Sequence, residues 1–303
     1  TWNLSGAWMA HEESWFKNGF KDLLSHASLK ASYSLTADRG PAFVSNSLAI
    51  YRSYNAWRPT SNVAESGIKI ESLENSELTY EKKHELNVGT DLGFLSNRIN
   101  LAVDVYSRQN YDLIGLTFTP GVGGEIQKYA NIASMNTDGI EVTLSTKNIS
   151  TKDFNWNTDF IFSNAKNKIT DFKSRSNVIQ LISGSGYAMQ GYPVRALFSI
   201  PFAGLNSEGI PTFVNQNGTV TTTDINFQEF EKLGFLKYEG PTDPTITGSF
   251  GNTFNWKNFK LNVFITYAFG NKVRLDPVFK AAYSDLSSMP REFTNRWELP
   301  GEE

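Results

Sequence analysis

Along most of the chain apolar and polar residues alternate one by one, and that period predicts strands rather than helices. From Leu86 to Phe94 the alternate positions are Leu86, Val88, Thr90, Leu92 and Phe94, with Asn87, Gly89 and Asp91 between them. Ile99, Leu101, Val103 and Val105 alternate with Asn100, Ala102, Asp104 and Tyr106. The pattern returns over Ile140–Thr146, Phe154–Phe162 and Phe259–Phe269. About nine such strands are predicted. Apolar residues at helical spacing are scarce, and a short helix is expected only near Asn226–Leu233.

Tight turns are predicted at Ser96-Asn97 and Lys257-Asn258, and a slightly longer one at Lys147–Asp153. The first sets Leu95 opposite Arg98, Phe94 opposite Ile99, Leu92 opposite Leu101 and Val88 opposite Val105, with Glu85 opposite Arg108 on the polar face. The second sets Trp256 opposite Phe259, Phe254 opposite Leu261 and Gly251 opposite Phe264. A slip of one residue would turn every apolar side chain to the wrong face, so turns and pattern specify one register. Phe264 is expected to lie over Gly251, where a strand glycine leaves its backbone uncovered.

Between the hairpins, Ala37–Glu77, Gly115–Asn136, Ala165–Val194 and Asp276–Glu303 read as long polar loops. Compact soluble domains rarely need several of these. Outer-membrane barrels do, with short periplasmic turns at one end and long extracellular loops at the other. Ala196–Val214 is read as an extracellular excursion rather than a further hairpin in the wall, because Pro201 and Pro211 interrupt its alternation. Phe259–Phe269, at about 3.4 Å per residue, gives about 37 Å of strand; tilted by about 40° it spans about 28 Å, near the hydrocarbon thickness. Trp256 and Phe259 stand at one end of this band and Tyr267 and Phe269 at the other, as rings at the two headgroup regions would. Leu78–Glu85 places Lys82 and His84 on the outer face and is read as strand projecting above the lipid. The apolar faces are therefore expected to point outward.

The chain has 303 residues, 40% hydrophobic, with a net charge of −3 and no cysteine. That balance gives no electrostatic reason to expect nucleic acid, and it excludes disulfide or thiol chemistry. No run approaches the length of a membrane helix, and the opening TWNLSGAWMAH does not read as a signal peptide. A mean hydropathy of −0.35 suits a soluble protein, yet barrels share it because lumen residues dilute lipid-facing ones.

Candidate chemistry is sparse. His11, His26 and His84 are too scattered to predict a metal site. Gly121–Glu125 and Ser183–Gly191 are glycine-rich but read as loop tips, not phosphate cradles. Asp91, Asp104 and Glu141 are read as lumen wall facing water rather than as general acids and bases. No catalytic, cofactor-binding or metal residue is predicted. The ligand-facing candidates are Tyr51, Arg52, Tyr54, Trp57 and Arg58, since rings exposed on a loop stack against sugar faces or peptide side chains. The alternative is a loop packed on itself.

The segment LTYEKKHELNVGTDLGFLSNRINLAVDVYSRQNYDLI, Leu78 to Ile114, resembles a recurrent hairpin of SusC/RagA-like TonB-dependent outer-membrane transporters. Its matching elements are Tyr80-Glu81, the run Asn87–Leu92, Asn97-Arg98, Asp104-Val105-Tyr106 and Tyr111–Ile114. Asn131–Leu144, Asp153–Ile169, Gly270–Arg274 and Arg296–Glu303 resemble later elements of the family in the family's order. The resemblance covers most of the chain from Leu29 onward. It implies an all-β fold, part of an antiparallel transmembrane barrel of about 22 strands with long extracellular loops. It implies active import of glycans or peptides across a bacterial outer membrane. The partners implied are outer-membrane lipid, a SusD-like surface lipoprotein, the TonB complex and an oligosaccharide or peptide ligand. Residues 1–303 are read as a C-terminal-side portion of the barrel domain, with plug, TonB box and last strands outside it; the TonB complex would be reached through that missing part. Many relatives carry an EF-hand-like calcium segment where this chain reads FLKYEGPTDPTITG, which lacks the needed Asp/Asn/Gly spacing. The alternatives are a soluble β-rich binding module, and a passive porin or outer-membrane barrel enzyme.

Overall fold

The computed structural model describes residues 1–19, 23–40, 48–56, 65–121, 126–275, 277, 278, 282, 284, 286 and 288–301. Two compact units emerge. One comprises Thr1–Arg175, Gln190–Tyr192 and Thr245–Phe269; the other comprises Ser176–Met189, Pro193–Pro244 and Gly270–Glu303.

The first unit is built on one antiparallel sheet of eight strands. In spatial order these are β1 (Trp2–Trp8), β2 (Leu24–Asp38), β5 (Glu81–Phe94), β6 (Ile99–Phe118), β7 (Gln127–Ser150), β8 (Phe154–Phe172), β14 (Ile246–Trp256) and β15 (Phe259–Phe269). A short helix α1 (Ser14–Gly19) lies between β1 and β2, and a separate hairpin, β3 (Ile50–Ala56) with β4 (Glu65–Ser72), lies between β2 and β5. The sheet is open, with β1 and β15 at its edges.

The register agrees with the turns. Phe94 pairs with Ile99, Val88 with Val105 and Glu85 with Arg108. Trp256 pairs with Phe259 and Gly251 with Phe264. The Ser96-Asn97 turn differs in detail: the ladder closes at Phe94–Ile99, so Leu95 and Arg98 are not strand partners. Arg98 N–H instead donates to the carbonyls of both Phe94 (3.0 Å) and Leu95 (3.3 Å). Leu95, Ser96 and Asn97 all take left-handed backbone, φ 52°, 57° and 60°, an uncommon state for non-glycine residues. Ser25 braces the turn, accepting from Asn97 N–H at 2.9 Å.

Tight turns lie at one end of the sheet, and their stagger measures its slope. Ladder partners carry Ile99 to Thr146, Thr158, Asn252 and Val263. The β14–β15 turn, at Trp256–Phe259, therefore sits four residues further along than the β5–β6 turn. Four residues are about 14 Å of strand and four strand spacings about 19 Å, a slope of about 35°. Strands of outer-membrane barrels tilt by about 35–45°. The apolar face follows the same slope: the row holding Trp8 beside the turns on β1 reaches Tyr267 near the far end of β15.

The two faces are inverted relative to a soluble sheet. Val105 is 52% exposed, while its neighbour Tyr106, on the polar face, is 5% exposed. Leu29, Leu86, Val88, Phe250 and Leu261 are exposed on the apolar face, whereas Ser28 and Ser249 are buried on the polar one. A water-soluble domain hides its apolar face; a sheet that presents one this large to its surroundings meets another apolar medium.

Several loop expectations are corrected. Gly115–Asn136 is mostly strand, because β6 runs to Phe118 and β7 starts at Gln127, and the two stay paired on both sides of a ladder irregularity near Asp112. β8 likewise continues to Phe172, through the first part of the expected Ala165–Val194 loop. Above the apolar band polar side chains stand on both faces, so the alternation fades while the ladder continues. The region Asn226–Leu233 is a run of turns, not a helix. Glu229 accepts from the N–H groups of Phe230, Glu231 and Lys232 at 3.1, 2.8 and 3.1 Å, and Asn226 accepts from Gln228 N–H at 3.0 Å. Such local acceptors compete with helical bonds.

These turns belong to the second unit. It contains α2 (Val178–Leu181), the pair β9 (Ala196–Ser199) with β13 (Lys237–Pro241), and a small sheet of β10 (Phe202–Leu205), β11 (Pro211–Val214) and β12 (Val220–Thr221). Val178, Leu181 and Phe198 form its buried centre. Ala196–Val214 adds no strand to the eight-stranded sheet, where β8 pairs directly with β14.

Candidate functional site

The β2–β5 connection leaves the sheet at the end opposite the tight turns and carries the β3–β4 hairpin. Pairing of Tyr51 with Ile70 and Ser53 with Ile68 places these on one face; Arg52 with Lys69 and Tyr54 with Gly67 form the other. Tyr51 is 65% exposed, and Ile68 and Ile70 are exposed beside it. On the opposite face Arg52 pairs with Glu71, and the Lys69 ammonium stands 5.8 Å from the Tyr54 ring centroid. Arg52 and Tyr54 are thus brought together, and Tyr51 is set apart from them. Trp57 and Arg58 lie outside the described residues.

The root of this connection is fastened by a residue that sequence reasoning passed over. Asn131, on β7, accepts from Thr79 N–H at 2.8 Å and donates to the Thr79 carbonyl at 2.9 Å and to the Asp112 carbonyl. Asp112 has φ 56° at an irregularity in the β6–β7 ladder, and the Lys82 ammonium meets its carboxylate at 2.8 Å. Asn75 donates to the Tyr129 carbonyl at 2.6 Å, and Glu81 accepts from Ile114 N–H at 2.7 Å. Around this knot lies a pocket of about 450 Å³, whose lining includes Lys82, Lys128 and Lys173 with Glu77 and Asp112. Nothing local marks Asn131 in the sequence, since its partner Thr79 is on the far side of a whole hairpin.

Below this end, on the polar face, Arg108 packs 3.9 Å from the Tyr106 ring centroid and reaches Glu85 at 3.1 Å; Lys83 meets the same carboxylate at 2.9 Å. Burial alone would raise the Glu85 carboxyl, but the two cations outweigh it and hold its pKa below the ordinary glutamate range.

The three carboxylates singled out in the sequence lie on the polar face of the wall. Asp91 is held by Lys30 at 2.8 Å and by Ser28, while Asp104 and Glu141 are cross-strand neighbours one row away. The histidines are less scattered than expected: His11 and His26 have ring centroids 4.2 Å apart, with His84 elsewhere beside Tyr33. Among the described residues no group of three or more His, Cys, Asp and Glu is placed to hold a metal ion.

No protein-family model matches the chain. Curated relatives include TonB-dependent receptor P39 of Formosa agariphila, 26% identical over 97% of this chain and 32% of its own length. TonB-dependent receptor P3 of the same organism is 22% identical over 96% of this chain and 30% of its own length. TonB-dependent receptor SusC of Bacteroides thetaiotaomicron is 29% identical over 55% of this chain and 17% of its own length. The chain thus spans about a third of the length of the Formosa relatives. Among solved structures, the RagAB peptide transporter matches with a TM-score of 0.70 at 22% identity, covering 88% of this chain and 29% of that one. The sheet and its sloping apolar face have the fold of an outer-membrane β-barrel wall, and in sequence the chain is similar to TonB-dependent receptors of the SusC/RagA kind.

Proposed function

We propose that the protein imports large nutrients, oligosaccharides or peptides, across the outer membrane, and that residues 1–303 contribute barrel wall and external loops to it. The observation that carries this reading is the outward apolar face, sloping across the sheet at the tilt of a barrel wall, in a chain whose relatives are named as receptors and transporters. In this reading the protein is not an enzyme. A surface lipoprotein of the SusD type closes over the barrel, and the TonB complex supplies energy through parts of the receptor beyond this segment. An isolated open sheet would leave edge backbone groups unpaired in lipid, so the segment needs the rest of its barrel.

Within this scheme the β3–β4 hairpin is the contact with substrate or lipoprotein, through Tyr51, Arg52 and Tyr54, with Trp57 and Arg58 following. Exposed rings on a short hairpin offer flat apolar area with little rotamer entropy to lose. Replacing Tyr54 and Trp57 by alanine is expected to lower uptake of a labelled oligosaccharide or peptide, or co-purification of the lipoprotein, with barrel assembly normal. Unchanged uptake together with unchanged co-purification would remove the hairpin from the mechanism.

A further inference from the structure

The connection between β1 and β2 is not a tight turn like the others at its end of the sheet. After Trp8 the chain makes a 3-10 turn at Ala10–Glu12 and then α1. His11 Nδ1–H donates to the Ala27 carbonyl at 3.0 Å, on the stretch of β2 beyond the last β1 partner. A carbonyl at the sheet edge that would otherwise face an apolar surrounding is thereby satisfied. Phe16 is 5% exposed and pins the helix, while Trp15 beside it is 53% exposed. The Trp15 ring lies 6.4 Å from that of Trp8, and Trp8 is the last outward residue of β1. Trp8 and Met9 are themselves about half exposed. The Trp8 indole N–H donates to Glu13 at 3.1 Å, and Lys17 pairs with Glu12 at 2.7 Å.

Two half-exposed indoles and a half-exposed methionine thus stand at the turn end of the outward apolar face, on a segment that also carries the charged Glu12, Glu13 and Lys17. Indoles prefer the headgroup–acyl boundary, and a short folded segment with this division of sides lies in that boundary. We propose that residues 8–17 form an interfacial foot, seated in the phospholipid headgroup region of the periplasmic leaflet through Trp8, Met9 and Trp15. The occupant is lipid because the surface is continuous with the membrane face of the sheet; the inference rests on that face meeting lipid.

These 303 residues contain no cysteine, and any cysteine elsewhere in the receptor is first replaced by serine. A nitroxide is attached to Trp15→Cys, and separately to Met9→Cys, in the whole receptor reconstituted in phosphatidylcholine–phosphatidylglycerol vesicles. Collision rates with oxygen and with a water-soluble nickel chelate are then read. Val103→Cys serves as the lipid reference and Lys152→Cys, in the β7–β8 turn, as the water reference. The oxygen-to-nickel ratio at Trp15→Cys and Met9→Cys is expected to exceed that at Lys152→Cys several-fold while staying below that at Val103→Cys. Nickel contact equal to that at Lys152→Cys would overturn the foot, and so would shielding from both reagents, which would mean a protein cover. A water-like reading at Val103→Cys would instead indict the membrane reading itself, so the two failures are distinguishable.

Discussion

The ring of Tyr106 lies over Gly139, its partner on the neighbouring strand: a Cβ placed on Gly139 would stand 2.3 Å from the Tyr106 Cζ. The same arrangement recurs at Gly248 under Tyr267, whose hydroxyl donates to the Ile161 carbonyl at 2.9 Å, and at Gly251 under Phe264. In each case a cross-strand ring covers backbone that the glycine leaves bare. Tyr106 is the buried member of the set, and it also carries the Arg108 guanidinium.

Gly139→Ala is therefore expected to force the Tyr106 ring out of its seat and to destabilise the barrel by about 1–3 kcal/mol. Gly251→Ala meets the Phe264 Cδ2 at 3.0 Å, but that ring is exposed and free to yield, so its effect should stay within about 0.5 kcal/mol. Urea midpoints of the receptor in lipid vesicles measure both. Equal effects at the two glycines would contradict the difference in burial.

Leu101 and Ala102 are adjacent on β6 and face opposite ways. Leu101→Arg puts a charge in the middle of the outward band and should cost about 2–4 kcal/mol, whereas Ala102→Arg enters the polar lumen side and should be tolerated. The folded fraction, read from heat-dependent gel mobility, should fall for the first variant only.

Glu85 has a pKa below the ordinary glutamate value, so its folded form binds the proton less readily than the unfolded chain does. Its contribution is present at neutral pH and is lost as the pH falls through the folded pKa. The wild type should exceed Glu85→Gln in stability by up to about 1 kcal/mol at pH 7, the group being partly solvated, and the gap should close in acid. A gap that persists or widens at low pH would contradict the sign.

Asn131→Ala removes the bonds that tie Thr79 and Asp112 together. The β2–β5 connection should then be cut faster by added protease in intact cells, with the barrel core still resistant. Unchanged cleavage would mean that the remaining anchors, Asn75 and Glu81, suffice.

The sheet was legible where one face meets lipid and the other water. That contrast writes period two into Leu86–Phe94, Ile99–Val105 and Phe259–Phe269, and the turns between them set the register. It fades wherever both faces are wet. The upper parts of β6, β7 and β8, over Gly115–Phe118, Gln127–Asn136 and Ala165–Phe172, therefore read as loop although they are strand. β1 was missed because Gly6 in the row of Trp2, Leu4 and Trp8, and Ala7 in the opposite row, break the alternation. Of the candidate site, the composition of Tyr51, Arg52 and Tyr54 drew attention, but not their division between two hairpin faces. The His11–His26 contact and the Asn131 knot depend on the chain folding back on itself, and no local pattern carries that information.

Whether the apolar face of the sheet meets lipid is tested most directly along β6. Single cysteines at Leu101, Ala102, Val103, Asp104, Val105 and Tyr106 are labelled with bimane in the reconstituted receptor, and quenching by nitroxide-bearing lipid is read at each. Strong quenching at Leu101, Val103 and Val105, with little at the residues between them, is the predicted result. Quenching at the even positions instead, or none that alternates, would contradict the outward band and the barrel wall built on it.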